Sequence, residues 1–166
     1  MIFGMPTATY TFIHVVISLV GIFSGFVVMY GLLASKRLDG WTALFLATTV
    51  ATSVTGYAFP TDHLLPSQVV GAISLVVLTV AIIARYGGHL AGGWRKTYVI
   101  TAAIALYLNV FVAIVQAFLK VPALKAMAPT QHEPPFLVAQ LTAMAVFVVL
   151  AILAIIKFRD QAARPA

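Results

Sequence analysis

Residues 98–120, YVITAAIALYLNVFVAIVQAFLK, run directly into residues 121–133, VPALKAMAPTQHE. The first segment is long and apolar enough to cross a bilayer as a helix, which takes roughly 20 such residues. Its polar members are not scattered. Asn109, Ala113, Gln116 and Lys120 fall at i, i+4, i+7 and i+11, so they share one helical face. A polar face in lipid loses its hydration without gaining a partner, so it turns towards other helices or a water-filled space. The stretch therefore predicts a helix bundle in a membrane, with this stripe turned inward. The second segment brings Thr130, Gln131, His132 and Glu133 to the mouth of that face, held by Pro122, Pro129, Pro134 and Pro135.

Composition agrees. Hydrophobic residues make up 62% of the 166 and charged residues only 8%, with a mean hydropathy of +1.05. A soluble domain has about a quarter of its residues charged, so this chain needs lipid as its solvent. The length suits a single domain, residues 1–166. A net charge of +6 would suggest nucleic acid in a soluble protein, but the basic residues lie in short clusters between apolar runs, as topology signals do. With no cysteine present, disulfides, thiolate metal ligands and thiol redox chemistry are excluded.

Working outward, five stretches read as membrane spans: about 10–33, 41–58, 68–86, 98–119 and 136–156. The expected fold is an all-α polytopic helix bundle, with a re-entrant hairpin at the short second and third spans as the alternative. The first run lacks a basic leader and an A-x-A cleavage site, so it reads as a retained span. Lys36, Arg37, Arg85, Arg95, Lys96, Lys157, Arg159 and Arg164 fall on one side of this arrangement, and only Lys120 and Lys125 on the other. The positive-inside rule then puts the N-terminus outside and the C-terminus in the cytoplasm.

In span one, His14, Ser18, Gly21 and Gly25 share a face, and Gly21 to Gly25 forms a G-x-x-x-G that allows close helix approach. Span two carries Thr48, Thr49, Thr52, Ser53 and Thr55. Their hydroxyls are expected to bond their own i−4 carbonyls, or else to wall a polar pocket. The glycine-rich loop 87–93 lacks the strand, the lysine and the helix of a phosphate-binding loop, and reads as a connection. Residues 121–127 suit a short interfacial helix.

Three segments, Ala128-Pro-Thr-Gln-His-Glu-Pro-Pro-Phe136, Ser53-Val-Thr-Gly-Tyr-Ala-Phe-Pro60 and Ala105-Leu-Tyr-Leu-Asn-Val-Phe111, resemble a group of small bacterial inner-membrane proteins of unassigned function. The resemblance implies a bacterial cytoplasmic membrane and carries no functional residues with it.

Sorted by depth, the polar residues of the spans collect near the outer surface. His14, Asn109, Gln116, Lys120 and Gln140 are the candidate ligand-binding residues. His14, Asp62, His63, His132 and Glu133 are the candidate metal ligands, since imidazole with carboxylate suits a divalent metal. The cytoplasmic half is expected to hold almost nothing comparable. These residues frame three functional readings. The first is a non-catalytic accessory or scaffold subunit, bound to lipid and to other membrane subunits or its own copies, with an outward-facing polar pocket. The second is a haem b or quinone protein, and the third a metal-binding protein or small-solute transporter. No nucleophile stands beside a base in the manner of a hydrolase.

Overall fold

The computed structural model describes residues 1–62 and 65–159. His63, on which one metal-ligand expectation falls, and Arg164, part of the charge count, lie outside the described residues. Helix α1 covers Thr7–Leu33, α2 Asp39–Thr55, α3 Pro66–Ile82, α4 Gly93–Lys120, α5 Pro122–Met127 and α6 Pro134–Lys157. A 3₁₀ turn at Gly56–Ala58 extends α2, and a π-helical turn at Ile83–Gly87 extends α3. No strand occurs among the described residues.

Four helical segments are long and apolar enough to cross a membrane: Thr7–Leu33, Pro66–Gly87, Gly93–Lys120 and Pro134–Lys157. Their surfaces explain why lipid suits them. Phe12, Leu19 and Phe23 on α1 and Val138, Val149 and Ile156 on α6 are all exposed, and each would be costly to hydrate. Proline at the start of α3, α5 and α6 uses a position where the missing N–H is harmless. A short helix, α5, forms where one was expected at residues 121–127.

Contacts down the bundle fix the pairing. Helix α2 lies antiparallel to α1: the Tyr10 hydroxyl donates to the Thr55 carbonyl at 2.9 Å, Gly21 faces Thr48 and Thr49, and Gly25 faces Phe45. Helix α3 returns beside α2, from Gly71 next to the Ser53 carbonyl to Arg85 on Asp39. Helix α4 passes Gly25 with Leu106 and Gly21 with Asn109. Helix α6 meets the opposite side of α4 through the ring pairs Tyr107–Phe147 and Phe118–Phe136, and reaches α1 at Phe26.

The core is not evenly distributed. Val28, Met29, Leu32, Phe45, Leu46, Leu78, Tyr98, Val99, Ala102 and Leu106 form one buried cluster at the basic end. Gly25 is needed there, because a Cβ would lie 2.5 Å from Leu106 Cδ1 and 2.9 Å from Phe45 Cε2. At Gly21 the same atom would meet its neighbours at 3.3–3.5 Å, which is near contact rather than collision. The G-x-x-x-G is thus a real contact, tightest at its second glycine.

Candidate functional site

Two polar stripes meet at one point and then separate. Asn109 Nδ2 donates to Thr49 Oγ1 at 3.1 Å, and both lie against Gly21. That contact fixes which way the α4 stripe points, because Asn109, Ala113, Gln116 and Lys120 share its face. The facing stripe on α1 is Gly21, Ser18 and His14. The helices are antiparallel, with Gly25 opposite Leu106 and Gly21 opposite Asn109. Continuing this register sets Ser18 across from Ala113, His14 across from Gln116, and Tyr10 across from Lys120.

Burial changes abruptly at the meeting point. Gly21, Ser24, Gly25, Val28 and Leu32 on the inner part of the α1 face are buried, whereas Thr11, His14, Ile17 and Ser18 are only half-buried. On α4 the buried residues Tyr98, Val99, Ala102, Ala103, Ala105 and Leu106 give way to partial exposure at every position from Tyr107 to Ala117. Tyr10 on α1 and Phe118 on α4 are nonetheless buried at the far end. The two stripes run from the contact of Gly21, Thr49 and Asn109 towards His14 and Gln116. Asn109 and Gln116 are roughly 10 Å apart along α4 at 1.5 Å per residue.

His14 is held in a defined orientation. Its Nδ1 lies 2.8 Å from Thr55 Oγ1, and the Phe59 ring meets the imidazole edge-on at 5.2 Å between centroids. Tyr10 meets the same Phe59 ring at 5.2 Å. Lys120 is exposed at the rim, within electrostatic range of the imidazole. Gln116 is half-buried and makes no hydrogen bond among the described residues.

Three of the α2 hydroxyls make the expected backbone bonds. Thr48, Ser53 and Thr55 donate to the carbonyls of Leu44, Thr49 and Ala51, as helix back-bonding predicts. Thr49 instead accepts from Asn109, and the buried Thr52 hydroxyl has no partner.

Gln140 does not join these stripes. Its Nε2 donates to the Phe111 carbonyl at 3.2 Å, on the face of α4 that also carries Tyr107 and Phe118 and packs against α6. Two residues along a helix is about 200°, so Phe111 points away from the Asn109 stripe. Gln131 docks the outer loop on that same side, its Nε2 donating to the Val115 carbonyl at 2.9 Å. Glu133 folds the loop on itself. Its carboxylate accepts from the Thr130 hydroxyl at 2.8 Å, the Thr130 amide at 3.1 Å and the His132 amide at 3.1 Å. Slight desolvation raises the Glu133 pKa, but these donors outweigh it and hold the carboxyl below its usual range. Asp62 and His132 are exposed. Among the described residues no three His, Asp or Glu side chains gather as metal ligands.

The expectation of a featureless basic end needs correction. Arg85 is only 3% exposed, and it ion-pairs with Asp39, which Arg37 also approaches at 3.6 Å. Its guanidinium lies 5.1 Å from the centre of the buried Tyr98 ring and 5.8 Å from that of Tyr86. Arg95 donates to the Phe158 carbonyl, and Ser35 exchanges hydrogen bonds with the Arg159 backbone at 2.9 and 3.0 Å. Sequence alone read Arg85 as a loop charge. The π turn swings it inward, with the Gly88 amide reaching the Ile83 carbonyl at 2.7 Å. The available signal was Asp39, an acid at the start of an apolar run. No protein-family model, curated protein or solved structure matches the chain.

Proposed function

We propose that this chain is a five-span accessory subunit of a bacterial cytoplasmic-membrane assembly, with its N-terminus outside, and that its outward-facing cleft receives a small ligand. The observation that supports this reading is the change from buried to half-buried positions beyond Gly21 on α1 and beyond Leu106 on α4.

The fifth span in this reading is α2. With its 3₁₀ extension it covers residues 39–58, about 30 Å of helix, which equals the hydrocarbon thickness. It also accompanies α1 from the level of Tyr10 to that of Gly31, whose Cβ position lies 2.8 Å from Leu38. Orientation follows from charge. Lys36, Arg37, Arg85, Arg95, Lys96, Lys157 and Arg159 sit at the closed end, and Lys120 and Lys125 at the open one. The positive-inside rule makes the closed end cytoplasmic.

A non-catalytic role is favoured by how the polar groups are used. Asn109, Gln140, Tyr10, Tyr57 and most α2 hydroxyls bond other helices or their own backbone, leaving His14 Nε2 and Gln116 for a ligand. The wide apolar surfaces of α1 and α6 suit lipid or neighbouring subunits. The test is to purify the protein in mild detergent and measure its visible spectrum, bound metals and extracted lipids. We expect no Soret band and no stoichiometric metal. We also expect a lipid-soluble molecule that co-purifies with the wild type and is lost on Gln116→Leu. A stoichiometric haem or metal would overturn this reading in favour of a cofactor protein.

A further inference from the structure

We propose that the cleft selects a hydroxylated aromatic headgroup on an apolar tail, of the benzoquinol type, with His14 Nε2 accepting a hydrogen bond from the ring hydroxyl. This rests on the outward-facing cleft proposed above and names the chemistry of its occupant.

The argument begins at Thr55. Its hydroxyl has one proton and three neighbours: the Ala51 carbonyl at 2.7 Å, the Thr52 carbonyl at 3.3 Å and His14 Nδ1 at 2.8 Å. A carbonyl only accepts, so all three neighbours are bonded only when the hydroxyl proton goes to a carbonyl and the imidazole donates from Nδ1. In the neutral ring Nε2 is then left with a lone pair. A ligand meeting that nitrogen has to bring an O–H or N–H. A bare carbonyl gains nothing there.

Charge narrows the choice. Lys120 is the cation at the rim, and the Glu133 carboxylate is occupied within its own loop. That leaves the cleft unfavourable to cations and neutral to mildly attractive for oxygen-rich groups. Gln116, across from His14 and without a partner, supplies both a donor and an acceptor for a second ring oxygen. Shape and access narrow it further. Phe59 meets the His14 ring, and Tyr10 in turn meets Phe59, an aromatic surround that suits a flat aromatic ligand over an aliphatic alcohol. Phe12, Ile13 and Val16 beside the stripe are exposed, so an apolar tail can remain in lipid while the headgroup turns inward.

The test uses the full chain in phosphatidylcholine nanodiscs, kept anaerobic. Three probes are titrated by calorimetry: a short-chain benzoquinol, its dimethyl ether and the matching benzoquinone. Losing one donated hydrogen bond should weaken the ether about tenfold relative to the quinol, with the quinone also weaker. His14→Phe should abolish the preference. Thr55→Val frees the imidazole to carry its proton on either nitrogen and should reduce the preference, whereas Thr55→Ser should keep it. Nitrogen NMR of the His14 side chain reads the tautomer directly and should show protonated Nδ1 in the wild type and in Thr55→Ser. Equal binding of quinol and ether, or a preference that survives His14→Phe, would overturn the proposal. If the cleft proves open to thiol reagents while all three probes bind alike, the ligand class is wrong and the cleft stands. If it proves closed, both fall together.

Discussion

The same faces of α1 and α4 are built differently in their two halves. From Gly21 to Leu32 and from Tyr98 to Leu106 the buried residues are mostly small or apolar, with Tyr98 among them, and they form one cluster with Phe45 and Leu78. From His14 to Ser18 and from Asn109 to Gln116 the faces are polar or small, and they stay half-buried. Without a hydrophobic driving force between helices in lipid, close association depends on packing contacts and hydrogen bonds. Where Gly25 admits Leu106 and Phe45, the helices close. The buried apolar cluster is therefore concentrated at the basic end.

The sharpest way to break this contrast is at Asp39. Its removal strands the buried Arg85, and breaking such a pair costs about 3–5 kcal/mol, with the low end expected because Asp39 itself is open to water. Asp39→Ala should lower the thermal midpoint in detergent strongly, and Arg37→Ala, removing a partly exposed neighbour, only slightly. Equal effects would mean that Arg85 is not the anchor of the closed end.

Packing should show a smaller difference. Gly25→Ala forces a methyl into Leu106 and Phe45 and should cost about 1–3 kcal/mol. Gly21→Ala, at the border of the open half, should cost clearly less. If the order reverses, the border lies elsewhere.

The weakest effect belongs to the outer loop. Because the folded Glu133 pKa is held below its ordinary value, its contribution is complete above the ordinary glutamate range. It fades as pH falls through the lowered folded value. Limited proteolysis of residues 128–133 should speed up only in acid, and Glu133→Gln should remove that pH dependence. A loop equally resistant at both pH values would show that the carboxylate does not order it.

Much of this was legible in sequence because membrane helices leave a plain record. Apolar runs marked the four long apolar helices, and the i, i+4, i+7 spacing put His14 on the face of Gly21 and Gln116 on the face of Asn109. What the spacing could not supply was direction around each helix. Gln140 has the right depth but turns to Phe111 on the far side of α4. Asn109 has the right face but is bonded to Thr49 at the floor. Arg85 was hidden for another reason, since a π turn alters the periodicity on which burial is judged.

The central claim is the outward-facing cleft, and the absence of native cysteine makes it directly measurable. Single cysteines at Ser18 and Ala113 would line the cleft, and at Ser24 and Ala105 they would lie in the closed half. In intact cells or right-side-out vesicles, a membrane-impermeant thiol reagent added outside should label Ser18→Cys and Ala113→Cys and leave Ser24→Cys and Ala105→Cys untouched until the protein is denatured. Labelling of neither outer position, or labelling of them only from the cytoplasmic side, would contradict the account.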